Sequence, residues 1–286
     1  MAPSATDPSR VKAQLATTRA ALDKAGIPYG WLDAEILVAH VLDTSRERLH
    51  SHPERLLTST QRARLRRLTA RRAARVPVPY LTGEREFYGH MLKVTPAVLI
   101  PRPSSELLVE LAIAWLKTHP QARVVDLGTG SGAVAISVAK AVPHVRIEAR
   151  DVSARALRVA AENVAHYRLR RRIRTVKGDL LKGAGPADLI LANLPYIPEA
   201  LRRVRPRELE YEPGLALDGG KDGLDLIRTA LAQAPAVVKP GGLVLFECDP
   251  AQTRRIVRLA QGHWPSAEVS VHKDLAGLDR VVRIQT

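Results

Sequence analysis

From residue 124 to residue 132 the chain reads Val-Val-Asp-Leu-Gly-Thr-Gly-Ser-Gly, followed by a small, apolar helical stretch. β-Branched residues run straight into a glycine-crowded turn and a helix start. Glycines let the backbone take positive φ and come close to a ligand, and the bare amides of a helix start favour an anion. A strand handed to a helix over such a turn is one βα unit of a parallel sheet. The rest of the chain repeats the alternation. Strands are expected at 123–127, 145–150, 172–177, 187–192, 242–247, 267–272 and 280–284, with helices at 131–141, 153–166, 222–235 and 250–262. The fold class is therefore α/β, with helices on both faces of the sheet.

With 286 residues there is room for this core and a smaller appendage. Residues 1–75 read as a helical docking domain. Val11, Leu15, Thr18 and Leu22 share a helical face, and Gly26-Ile27-Pro28 stops it. Leu32, Ile36, Leu37, His40 and Val41 repeat the pattern, with His40 read as packing. A third helix is expected after Thr58, where Gln61 completes a capping box. Residues 76–98 are rich in proline and β-formers, and the runs around Gly89 predict a linking hairpin. The catalytic domain is expected over 99–286. It opens with a helix from Ser104, capped by the serine pair, with Glu106 complementing its dipole.

Hydrophobic residues make up 45% of the chain, but no run approaches the roughly 18 apolar residues of a membrane span. With no signal peptide legible either, a soluble cytoplasmic protein is expected. The single cysteine, Cys248, excludes an internal disulfide framework and a cysteine-rich zinc site. It reads as a small core residue, and no metal is expected. The formal charge of +15 attracts polyanions, and arginine runs at 62–75 and 168–174 concentrate it. Proximity to RNA or the ribosome and plain solvated helix faces both fit these runs, which interleave no aromatics.

The glycines alone leave the ligand open. Gly128-x-Gly130-x-x-Ala133 satisfies the relaxed dinucleotide fingerprint, with Asp151 about 20 residues on for a ribose. Asp126, however, places a carboxylate where a dinucleotide would bring its pyrophosphate, whereas S-adenosylmethionine offers an ammonium and a sulfonium. The Asp126-x-Gly128-x-Gly130-x-Gly132 spacing resembles the first motif of class I methyltransferases. That resemblance implies a Rossmann-like sheet of seven, mostly parallel strands and S-adenosylmethionine as cofactor. It assigns Asp126, Gly128, Thr129, Gly130 and Gly132 to the cofactor loop, and Asp151 with Val152 to the ribose. Asp179 and Leu180, after Gly178, would lie beside the adenine, although Gly-Asp is also ordinary turn chemistry.

The apolar strand at 187–192 runs into Asn193-Leu194-Pro195-Tyr196, a corner at the carboxyl end of a strand, where open α/β sheets place their chemistry. A side-chain amide, directed carbonyls and an aromatic face there suit a planar NH2 group. The corner resembles the Asn-Pro-Pro-Tyr motif of methyltransferases that modify planar amino groups, with Asn193 also near the cofactor. Wider matches run through the chain in order: Asp33-Ala34-Glu35, Tyr80-Leu81-x-Gly83, Glu86-Phe87-Tyr88-Gly89, Leu99-Ile100-Pro101-Arg102-Pro103, Tyr211-Glu212-Pro213, Leu217-Asp218-Gly219-Gly220, Asp222-Gly223-Leu224-Asp225 and Asp274-Leu275-Ala276-Gly277-x-Asp279-Arg280. Together they resemble the HemK/PrmC family of release-factor glutamine N5-methyltransferases. The resemblance implies a release factor as protein substrate, methylated on the glutamine of its Gly-Gly-Gln loop. It implies that Asn193 and the Leu194 carbonyl accept the amide N–H groups while Tyr196 stacks on the amide plane.

Two departures stand out. The family usually has proline where this chain has Leu194, and Glu-Thr where it has Ser104-Ser105. Asn-Leu-Pro-Tyr is also how ribosomal RNA adenine N6-dimethyltransferases write the motif, but those enzymes usually carry glutamate in place of Asp126 and lack the amino-terminal module. A non-catalytic ribosome-associated protein would rest on charge alone.

Overall fold

A computed structural model describes residues 7–204 and 206–286. The chain divides into two compact units, one ending at Gly83 and the other running from Glu84 to Thr286. The first is helical: α1 (Val11–Lys24), α2 (Gly30–Leu42), α3 (Arg46–Ser51), α4 (Ser59–Ala73) and α5 (Val78–Thr82). Val11, Thr18 and Leu22 of α1 are buried, as their spacing requires. Thr58 and Gln61 close both bonds of the capping box that starts α4. Two helices depart from the sequence reading. The short α3 follows Ser45. Helix α5 occupies residues expected to be extended, because proline is tolerated in a first turn and Gly83, at φ +85°, terminates the helix.

Several arginines of the two runs serve the fold. Arg72 is buried and bonds Asp33 at 2.6 Å. Arg64 donates to His40 at 2.8 Å, and Arg172 caps carbonyls of Ala139, Val142 and Pro143.

The second unit opens with an antiparallel hairpin, β1 (Glu84–Phe87) and β2 (His90–Lys93). Tyr88 at φ 51° and Gly89 at φ 73° give the turn the positive φ values that a tight hairpin needs. Helix α6 (Glu106–Leu116) leads into β3 (Arg123–Leu127), α7 (Ala133–Ala141), β4 (Arg146–Asp151), α8 (Ala154–His166) and β5 (Ile173–Lys177). Then follow β6 (Ala187–Ala192), α9 (Asp225–Gln233), β7 (Val238–Glu247), α10 (Thr253–His263), β8 (Glu268–Lys273) and β9 (Asp279–Gln285).

The sheet order is β5-β4-β3-β6-β7-β9-β8. Strands β3 to β7 are parallel, and β9 runs antiparallel to both β7 and β8. Side chains alternate across it. Val124, Leu189, Leu191 and Leu245 pack into the core on one face, while Val125, Leu127, Ile190 and Phe246 pack into the core on the other. The chain runs from β3 outward to β5 and then returns to β3's other side as β6. The crevice between β3 and β6 is therefore the topological switch point.

Candidate active site

Register fixes the site. Leu127 ends β3 opposite Ala192, the end of β6, so the glycine turn and the asparagine corner leave the sheet side by side. Gly128 takes φ +68°, and a Cβ there would sit 3.3 Å from both the Asn193 carbonyl oxygen and Leu194 Cδ2. Glycine is what lets the two loops touch.

A cavity of about 340 Å³ opens at these strand ends. Of the sequence-predicted residues, Asp126, Gly128, Thr129, Gly130, Asp151, Val152, Asp179, Leu180, Asn193, Leu194 and Pro195 line it. Gly132 and Tyr196 do not. Gly132, at φ +83°, instead starts α7 where a Cβ would press on Ile136 Cδ1 at 3.3 Å. Tyr196 packs half-buried against the core that also holds Leu194 and Phe246.

The carboxylates are tied into the turn. Asp126 is buried at 2% exposure, and its Oδ2 accepts from Thr129 Oγ1 at 2.6 Å. Burial pushes its carboxyl up to about 7 against that bond, and the nearby Asp151 adds to the rise. Asp151 accepts from the Gly130 amide at 3.0 Å and the Ser153 amide at 2.9 Å, while burial holds its carboxyl above the usual range. Thr129 N–H donates to the Arg150 carbonyl at 2.9 Å, which stitches the turn to the end of β4. Asp179 accepts from Lys182 Nζ at 2.7 Å.

Asn193 is oriented. Its Nδ2 donates to Ser105 Oγ at 2.8 Å. Neither Ser104 nor Ser105 caps α6, contrary to the sequence expectation. Pro103–Ser105 forms a 3-10 turn, no side-chain cap bond is made, and Ser104 donates instead to Glu247 at 3.1 Å. Further bonds hold the corner from behind. Gln252 Nε2 donates to the Tyr196 carbonyl at 2.9 Å, and Ile197 exchanges backbone bonds with Leu217 and Gly219. A Cβ on Gly223 would lie 2.3 Å from the Tyr196 oxygen, so the Asp-Gly segment must carry glycine there.

Residues that sequence reasoning missed complete the walls. Arg102 lines the cavity and pairs with the buried Glu212, which also accepts from the Ile100 amide at 3.0 Å. Arg150 is buried and donates to the Leu180 carbonyl at 2.8 Å, holding the turn after β5. Glu212 and Arg102 were legible as motif residues but not as partners, because 110 positions separate them. Nothing in the local pattern marks Arg150, since an arginine in a strand ordinarily points to water.

Among the described residues no helix is long and apolar enough to cross a membrane, and no cluster of His, Cys, Asp and Glu is arranged to hold a metal. The profile of the PrmC N-terminal domain matches residues 14–83, and that of the methyltransferase small domain matches residues 103–203. A release factor glutamine methyltransferase of Deinococcus radiodurans is 38% identical over 271 residues, covering 94% of this chain and 96% of its own length. One from Bordetella pertussis is 42% identical over 256 residues, covering 87% and 93%, and one from Moorella thermoacetica is 39% identical over 258 residues, covering 89% and 91%. Identity at this level across both units, with the methyltransferase motif residues gathered around one cavity, means that the chain belongs to the release factor glutamine methyltransferase family.

Proposed function

We propose that this protein transfers a methyl group from S-adenosylmethionine to the side-chain amide nitrogen, N5, of the glutamine in the Gly-Gly-Gln loop of peptide chain release factors. The observation that carries the reading is the meeting of two elements in one cavity: a glycine turn with the buried Asp126 and the half-buried Asp151, and an asparagine whose amide donates to Ser105.

The donor set fits the cofactor. Asp126 and Asp151 are acceptors in a largely apolar cavity, which favours a cationic ligand bearing hydroxyls over a pyrophosphate. Asp126, Gly128, Thr129 and Gly130 would hold the amino-acid end, Asp151 with Val152 the ribose, and Asp179 with Leu180 the base. When bound, the cofactor supplies an electrophilic methyl on a sulfonium.

Everything else falls to the chain. An amide nitrogen is a poor nucleophile because its lone pair is delocalised into the carbonyl. Asn193 turns Nδ2 toward Ser105, so Oδ1 is the atom that can accept a substrate N–H. The Leu194 carbonyl supplies a second acceptor, and Pro195 biases residue 194 to the extended backbone that directs it. Two acceptors on the amide protons orient the nitrogen lone pair and favour the positive charge that grows during in-line transfer. No dedicated base is needed, because an alkylated amide nitrogen is strongly acidic. Tyr196 contributes from behind the corner; its phenol is held above the usual range by burial and the neighbouring Glu247, so it stays neutral.

A release-factor substrate places the reaction in the cytoplasm, and a charge of +15 favours encounter with factors beside the ribosome. The test incubates the protein with labelled S-adenosylmethionine and, separately, a release factor, its loop Gln-to-Ala variant and ribosomal RNA. Label that follows the glutamine supports the reading; label in RNA alone overturns it.

A further inference from the structure

The charge of the second unit is not spread over it. Residues 84–286 hold 30 Lys and Arg against 22 Asp and Glu, and 12 of those bases with only 4 of the acids fall between 140 and 182. That stretch carries the unit's whole excess of +8, and the remainder is balanced. Part of the charge is used inside the fold. Arg150 is buried, Arg172 holds carbonyls at the end of α7, and Arg174 pairs with Glu148 at 2.6 Å. The rest gathers on two turns. One joins α7 to β4 and ends on Arg146, and the other joins α8 to β5 and carries Arg168, Arg170 and Arg171. All four are exposed, and their side chains make no hydrogen bond or ion pair among the described residues.

The turns adjoin. Strands β4 and β5 pair from Ile147 and Ile173, and the Ile147 amide donates to the Arg172 carbonyl at 2.8 Å. Lys140, at the end of α7, lies 5.9 Å over the Tyr167 ring and brings a fifth cation. No Asp or Glu lies between 163 and 178, and the flanking Glu148 and Glu162 are already paired, with Arg174 and Lys93. The second turn is anchored by the buried Leu169, whose amide donates to the Val164 carbonyl at 2.9 Å and whose carbonyl accepts from the Arg172 amide at 2.8 Å. The free guanidinium groups therefore leave the backbone at fixed points.

What such a face recognises follows from its apolar side chains. Val142, Val145, Leu169 and Ile173 are all buried, and no large hydrophobic side chain is exposed on either turn among the described residues. A protein interface is anchored by aromatic or apolar groups, and a membrane surface by an inserted apolar face. A nucleic-acid backbone needs neither, because phosphates are held by charge and counterion release, and the arginine fork matches them with paired donors. A patch confined to two neighbouring turns suits a flexible single strand better than a stiff duplex. We propose that these turns form a surface that grips the phosphate backbone of single-stranded RNA without reading its sequence. They close the amino ends of β4 and β5, whereas the cavity opens at the carboxyl ends, about 16 Å away along a five-residue strand at about 3.3 Å per residue. RNA held there leaves the cavity free and acts as a tether, not as a methyl acceptor. The surface needs no cofactor, so this inference does not rest on the function proposed above.

The test titrates the full chain into a labelled, mixed-sequence RNA of about 20 nucleotides and reads fluorescence anisotropy from 50 to 200 mM salt, because each phosphate contact on a single strand adds about 0.7 to the slope of log K against log salt. The triple variant Arg168→Gln, Arg170→Gln, Arg171→Gln should lower that slope by about 2 and weaken binding about tenfold or more at 100 mM salt. Its melting temperature and its methylation of isolated release factor should match wild type. A second triple variant, Lys117→Gln, Arg254→Gln, Arg258→Gln, removes the same charge from exposed positions elsewhere in the unit and should lose far less. Equal losses in the two variants would overturn the surface, since binding would then follow net charge alone. So would competition by saturating S-adenosylmethionine, which would put the RNA in the cavity, stronger competition by duplex DNA than by unlabelled RNA, or tighter binding to phosphatidylglycerol vesicles than to RNA. A wild-type protein that leaves release factor unmethylated refutes the functional reading instead, and the RNA titrations still decide the surface.

Discussion

Asp126 gives this protein a stability that should fall as pH rises, opposite to the usual behaviour of a paired carboxylate. Buried at the end of β3, its carboxyl is pushed up to about 7 from an ordinary 3.8. The folded protein therefore keeps the proton up to about pH 7, whereas the unfolded chain releases it near pH 4. Between those values the folded state binds more protons, so unfolding becomes easier with each step up in pH. The group's stabilising effect is full below the unfolded value and is lost as pH rises through the folded one. Integrated from pH 5 to pH 8, this single site removes about 2.5 kcal/mol, given 1.36 kcal/mol per pKa unit. The unit from Glu84 to Thr286 is in the size range where 1 kcal/mol shifts Tm by about 2–4 °C, so the loss is roughly 5–10 °C.

Scanning calorimetry of the cofactor-free protein and Asp126→Asn at pH 5, 6, 7 and 8 isolates the effect. Asparagine keeps an oxygen for the Thr129 hydroxyl but puts an NH2 group, a donor, in place of the second carboxylate oxygen in a buried site. The variant thus carries a constant penalty of about 1–3 kcal/mol at every pH. The expected signature is the difference between the two proteins: wild type leads at pH 5, and its lead shrinks by about 2.5 kcal/mol by pH 8. Saturating S-adenosylmethionine should restore wild type at pH 8 more than the variant, because the ionised carboxylate gains a cationic partner. Parallel pH profiles for the two proteins would refute the assignment of the raised value to Asp126.

Three other outcomes are expected. Asn193→Ala should bind S-adenosylmethionine with near wild-type affinity by calorimetry and lose about a hundredfold or more in kcat, the scale of removing one preorganised polar contact; a matching loss of binding would make Asn193 a cofactor contact. Leu194→Pro should leave turnover per folded molecule equal or higher while lowering Tm, because Leu194 is buried at 2% exposure and proline fills less of its pocket; a large fall in kcat at unchanged cofactor affinity would mean that the corner serves another substrate geometry. Cys248, buried with its thiol pushed up to about 12, should resist iodoacetamide at pH 8 in the native protein and take up one adduct when denatured, as mass spectrometry would show.

What could be read from the sequence, and what could not, follows the range of the interactions. β3 and β6 were legible to the residue because apolar runs of this length, closed by turn residues such as Gly128 and Asn193, are too short for a helix and fit a buried strand. The capping box at Thr58 and Gln61 was legible because both of its bonds lie within four residues. By contrast, α5 was hidden by prolines that serve equally in a first helical turn and in an extended linker. The serine pair misled for the same reason: an S-S-E string is a cap by local rules, and only distant elements supply the partners that the side chains take instead, the Glu247 carboxylate of β7 for Ser104 and the Asn193 amide for Ser105. Tyr196 and Gly132 were placed in the site by motif spacing. Neither lines the cavity: Tyr196 packs against the second core, and Gly132 starts α7 where a Cβ would press on Ile136, which spacing does not encode.

The same contrast explains how the asparagine corner can accommodate its own departure. In an Asn-Pro-Pro-Tyr corner, the first proline restricts the backbone from within. Here Leu194 restores that restraint from outside. Its side chain is buried against the second core, it leaves no room for a Cβ at Gly128, which would sit 3.3 Å from its Cδ2, and Pro195 still limits its backbone. Asn193, one residue earlier, is held by Ser105, which belongs to the turn before α6, and Tyr196 by Gln252, which belongs to the turn before α10. Asn193, Leu194 and Tyr196 are thus each held by a different distant element, without a second proline. The rigidity that the motif writes into four residues is, in this chain, distributed over the packing around them.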